Sequence, residues 1–82
     1  MIEEKVRNLI EKSVNEIGVI VDSVEYVKED NNYFLRITID RDTPLDIDTC
    51  VEVNNIINPL LDKADIIKDS YILEVWSKEK GE

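Results

Sequence analysis

The chain has 82 residues and a formal net charge of −9, with no histidine and a single cysteine, Cys50. A chain of this length forms one domain and buries only about 60% of the surface its unfolded form exposes. The missing histidine and lone cysteine exclude an internal disulfide, a cysteine zinc cluster and the commonest general base.

The N-terminus, MIEEKVRNLI, is charged and amphipathic rather than basic followed by apolar, so it does not read as a signal peptide. No apolar run approaches the roughly 18 residues of a membrane span. A cytoplasmic protein with no membrane association is expected. Ile2, Val6, Leu9, Ile10, Val14 and Ile17 recur at helical spacing, which predicts a first helix. Glu3 and Arg7 are placed to pair one turn apart, and Gly18 stands where a left-handed residue ends a helix.

Val19 to Lys28 is rich in β-branched residues and predicts a strand. Its faces do not separate cleanly: Ile20, Val24 and Tyr26 share one parity, and Val19, Val21 and Val27 the other. The polar stretch Glu29-Asp30-Asn31-Asn32 predicts a turn, because asparagine tolerates the left-handed region. Tyr33 to Arg41 then alternates well, with Tyr33, Leu35, Ile37 and Ile39 on one face and Phe34, Arg36, Thr38 and Asp40 on the other. The two strands make a hairpin.

Thr43-Pro44 ends the strand, and Asp46 is the expected N-cap of a second helix. Cys50, Val53, Ile57, Leu60 and Leu61 form its apolar stripe, and Cys50 is read as a core residue. Pro59 lies inside that stripe, so a kink or an early end is expected near Asn58. Lys63 to Ser70 is a polar connection. Tyr71 to Ser77 is a third strand, with Tyr71, Leu73 and Val75 inward and Ile72, Glu74 and Trp76 outward. Residues 78–82 form a charged tail.

The order α-β-β-α-β predicts an α+β fold: a two-layer sandwich whose three-stranded mixed sheet carries both helices on one face. The second and third strands, joined through a helix, run parallel. Whether the third strand lies beside the second or crosses to the first stays open.

Between residues 42 and 70 seven acids face two lysines, so this segment alone carries −5. Such a surface opposes phosphate and favours a basic protein. Read from Asp40, the acidic turn fails as a calcium loop. Leu45 stands where glycine is required and Val51 where the bidentate glutamate is required. No metal site, catalytic residue or cofactor is expected. The only glycines, Gly18 and Gly81, build neither a phosphate loop nor the GXXG clamp of an RNA-binding KH module. Phe34, Ile72 and Trp76 share the helix-free face with Arg36 and Glu74, and this face is read as a docking surface.

Several short stretches, in order and at the right spacing, carry a family resemblance. Ile17-Gly18, Val24 to Glu29 and Leu35 to Asp40 resemble the N-terminal domain of the bacterial ribosome maturation factor RimP. Asp46 to Cys50, Pro59 to Asp62 and Tyr71 to Val75 are similar to its helix–strand half. The resemblance implies a two-layer α/β domain over residues 1–77. It also implies a non-enzymatic factor for assembly of the small (30S) ribosomal subunit, which meets the immature subunit and a basic ribosomal protein of the decoding region. Direct nucleic-acid binding by this domain is not expected; a KH-like RNA-binding module or a stand-alone interaction domain is the alternative. The family continues after this strand through Ser-Ser-Pro-Gly-Leu-Asp into an SH3-like domain. Here Trp76 and Ser77 lead into the charged tail, so that second domain is not expected. From charge and exposure rather than from the family, Asp40, Asp42, Asp46, Asp48 and Glu52 are the expected contacts for a basic partner, with Phe34 and Trp76 as apolar contacts.

Overall fold

The computed structural model describes residues 1–78; the expected tail beyond Lys78 lies outside the described residues. The elements are α1 (Ile2–Asn15), β1 (Ile20–Glu29), β2 (Asn32–Asp40), α2 (Ile47–Ala64) and β3 (Tyr71–Ser77). The sheet order is β1-β2-β3, antiparallel between β1 and β2 and parallel between β2 and β3. The third strand therefore lies beside the second. Both helices cover one face, as the element order requires. Among the described residues no helix is long and apolar enough to cross a membrane.

β2 is the middle strand, and its inner residues Leu35, Ile37 and Ile39 are fully buried. Val6, Ile10 and Val14 of α1 and Val53, Ile57 and Leu61 of α2 pack into the same core. Removing these side chains from water is the main favourable contribution to folding.

β1 reaches this core through a β-bulge. Val21 pairs with Ile39, but the next pair is Ser23 with Thr38, so Asp22 is an extra residue. An extra residue inverts the alternation beyond it. Val19 and Val21 point inward before the bulge, and Val24 and Tyr26 pack on the core after it. This resolves the mixed parity of β1. Arg7 holds the bulge: its guanidinium donates to the carbonyls of Val21 and Asp22, both at 2.9 Å. The expected Glu3–Arg7 pair is replaced by an Arg7–Glu11 pair at 3.1 Å. A guanidinium drawn toward the bulge lies beyond reach of the first turn of α1.

Asp30 and Asn31 form a two-residue hairpin loop with φ of 52° and 70°. Positive φ at both central positions is the requirement of a type I′ turn, which matches the twist of the strands. Gly18, at φ 80°, turns the chain from α1 into β1.

Pro59 does not bring the early end that was one of the two expectations for α2. The helix continues to Ala64 and closes on Asp65 in the left-handed region, with the Asp65 amide donating to the Leu61 carbonyl at 3.0 Å. Pro59 lies on the exposed side, as does Asn55, whose carbonyl loses its amide partner. The lost bond therefore falls on the solvent side of the helix, while Ile57 and Leu61 hold the helix to the core on the opposite side.

The bulge predicts unequal costs at two valines three positions apart. Val24→Ser should lower unfolding stability by on the order of 1–2 kcal/mol, and Val27→Ser by clearly less, because only Val24 faces the core. Urea denaturation of the two variants checks this; equal losses would place the extra residue elsewhere.

Candidate functional site

The five expected acids cluster where β2 ends and α2 begins, but they do different things. Asp40 accepts the amide of Arg41 at 2.8 Å. Asp46 is the N-cap of α2, as expected, and its Oδ1 accepts the Thr49 amide at 2.8 Å. Arg41 ties this loop down, donating to the Thr49 hydroxyl at 3.1 Å and to the Pro44 carbonyl at 2.8 Å. Asp40 and Asp46 thus have structural work. Asp42, Asp48 and Glu52 are exposed, and Asp48 and Glu52 lie one turn apart on α2. Among the described residues no group of three or more acids or cysteines converges as a metal site would need.

Beside these acids runs a groove of about 510 Å³ between the first turns of α2 and the end of β3. Leu45, Ile47, Cys50, Val51, Val75 and Trp76 give it an apolar lining, and Asp46 stands within it. Ile47 is 81% exposed, Val51 51% and Trp76 54%. Cys50 packs partly against the core and also lines this groove, so it is not fully buried. Thr49 takes the buried place on the helix instead. Ile47, Val51 and Leu45 were missed from the sequence. The signal available was that Ile47 and Val51, one turn apart, fall off the buried stripe.

Trp76 belongs to two surfaces. It lines the groove and also lies on the helix-free face, where its Nε1 donates to Glu74 Oε1 at 3.3 Å. Phe34 lies elsewhere on that face. It stands opposite Ile72, whereas Trp76 stands opposite Thr38. The structure brings Trp76 together with Asp46 and leaves Phe34 apart from the acids.

Arg36 is the centre of the helix-free face. Its guanidinium forks onto Glu29 at 2.9 and 3.2 Å, donates to Glu74 at 2.7 Å, and lies 5.1 Å from the Phe34 ring. These hydrogen bonds to two carboxylates push its pKa further up. A guanidinium engaged on both sides by carboxylates is poorly placed to neutralise a phosphate. The hydrogen bond from Arg36, together with its charge, holds Glu29 below its ordinary 4.5. Hydrogen bonds from Thr49 hold Asp46 below its ordinary 3.8.

The family model described as the RimP N-terminal domain matches residues 9–78. The matched stretch contains both depressed carboxylates, and these predict an acid limb of instability. A carboxylate with a lowered folded pKa contributes stability above its unfolded value and loses it as pH falls through the folded value. The contribution of these two carboxylates should therefore be level above the ordinary values of 4.5 and 3.8 and decline below them. Asp46→Asn retains an oxygen that caps the helix but does not titrate, so its decline should be shallower than that of the parent. Thermal melts across this pH range check the slope; an unchanged slope would remove Asp46 from the account.

Proposed function

Because the chain belongs to the RimP N-terminal domain family, a family of bacterial ribosome maturation factors, we propose that it assists assembly of the small (30S) ribosomal subunit. In this reading it acts in the cytoplasm, without catalysis. It works by binding a basic ribosomal protein of the decoding region while that protein joins the immature subunit.

The observation that carries the reading is the surface at the start of α2. Asp42, Asp46, Asp48 and Glu52 occur with no lysine or arginine between residues 42 and 54, next to the exposed apolar residues Ile47, Val51 and Trp76. Affinity between proteins comes mainly from a few desolvated apolar or aromatic anchors, whereas charge of one sign steers a partner of the other. Trp76 supplies the anchor and Asp42, Asp48 and Glu52 the steering. Asp46 contributes charge while capping the helix, and Asp40 contributes at the rim. Phe34 belongs to the separate helix-free face and is a secondary contact.

RNA binding by this domain is the less favoured alternative. A KH-type clamp needs glycine and basic charge at the backbone-contacting loop, and here Arg36 is already paired with Glu29 and Glu74.

The test is capture of purified basic small-subunit proteins by the immobilised chain at low and raised salt. Capture at low salt is expected, falling as salt rises. Asp48→Asn with Glu52→Gln should reduce it about tenfold or less, since exposed charges each contribute little. Trp76→Ala should reduce it by more, as an anchor does. Absence of capture at low salt, or indifference to all three substitutions, would count against the reading, as would tight, salt-steep binding of RNA alone.

A further inference from the structure

The two edges of the sheet are treated differently. β1 is blunted: it carries the bulge at Asp22, and Arg7 takes up the carbonyls of Val21 and Asp22. Bulges and charged side chains are devices that stop an edge from pairing with another chain. β3 has neither a bulge nor an unpaired charge. It has no proline and no bulge against β2, and its one charged residue, Glu74, is bonded to Arg36.

The open groups of β3 can be assigned. The Lys78 amide donates to the Ile39 carbonyl at 2.8 Å. Along a strand the backbone groups alternate in direction. Ile72, Glu74 and Trp76 therefore bond to β2 with Lys78. Leu73, Val75 and Ser77 direct their amides and carbonyls to the free edge, and Val75 and Ser77 also line the apolar groove.

We infer that β3 accepts an extended segment of a basic protein as a fourth strand. This rests on the reading above that the partner is basic, and specifies how it is held. The added strand takes its main-chain bonds from Val75 and Ser77. Its side chains alternate, so an apolar residue enters the groove between Ile47, Val51 and Val75. Its neighbours lie on the helix-free side beside Trp76. Lysines or arginines two positions from the apolar residue share its face and reach Asp46, Asp48 and Glu52. A second copy of this chain is a poor occupant, because each copy carries −9 and pairing two β3 edges would bring two acidic walls together.

The probe is a blocked synthetic peptide, Thr-Lys-Thr-Val-Thr-Lys-Thr, with the valine and both lysines on one face, titrated into the whole chain. Trp76, the only tryptophan, reports by fluorescence, and the Val75 and Ser77 amides report by NMR and hydrogen exchange. Binding should shift the tryptophan emission and protect both amides. N-methylation of the peptide amides that face β3 should weaken binding about tenfold, since each loses a hydrogen bond. Ser77→Pro removes a free-edge donor without touching the β2 ladder. It should weaken binding several-fold while leaving the melting temperature nearly unchanged.

The inference is overturned by no binding, by equal affinity for the N-methylated peptide, by unmoved Val75 and Ser77 amides, or by self-association of the chain through β3 in sedimentation. Its failure is separable from failure of the ribosomal reading. Ribosomal-protein capture that depends on Asp48 and Glu52, with a peptide insensitive to N-methylation, removes the added strand alone. Edge pairing by the peptide without any capture removes the ribosomal partner alone.

Discussion

Three side chains on the middle strand, Leu35, Ile37 and Ile39, are fully buried, and every other element is arranged around them. A side-chain period of two means that a one-residue slip in either neighbour would turn its apolar set to water. β3 meets the demand directly: Leu73 and Val75 align with Leu35 and Ile37 in parallel register. β1 meets it only by inserting Asp22, which brings Val24 and Tyr26 to the side already occupied by Val19 and Val21. Arg7 then binds the carbonyls at the bulge, so α1 is locked to β1 by polar contacts as well as by Val6, Ile10 and Val14.

The same arrangement places the candidate site. Because β2 is central and β3 follows α2, the end of β3 and the start of α2 come together at one corner. Arg41 and Asp46 shape that corner by hydrogen bonds to Pro44 and Thr49, so the acidic loop is a built structure. The helix leaves Ile47 and Val51 off its buried stripe, and they join Trp76 around the groove. Across the sheet, Arg36, Glu29 and Glu74 are engaged with one another and Arg36 lies against the Phe34 ring, so these charges are already paired. Charge and apolar exposure therefore coincide at the β3–α2 corner rather than in the middle of the sheet.

Legibility followed how local each signal was. The alternation of β2, the Gly18 stop and the Asp46 cap depend on neighbours within a few residues, and all three were readable. The early end expected at Pro59 does not occur, because the effect of a proline depends on which side of α2 faces water, and the exposed side tolerates the lost hydrogen bond. Glu3–Arg7 was misread because the competing partners of Arg7 lie on another element. Among the site residues, the acids and Trp76 were evident from charge and type. The groove that joins Trp76 to Asp46 was not, because residues 46 and 76 meet only through the crossover.

The sequence by itself determined the element order, the inward face of β2 and β3, the parallel crossover, the concentration of acid between residues 42 and 70, and the family resemblance. These rest on periodicity, turn chemistry and composition, which are properties of short stretches. Only the tertiary structure decided that β3 lies beside β2, that Asp22 is an extra residue, and that one sheet edge is blunted while the other stays open. Each of those is a relation between segments far apart in the chain. Their outcome is set by which pairing buries Leu35, Ile37 and Ile39 together, and no local pattern carries that information.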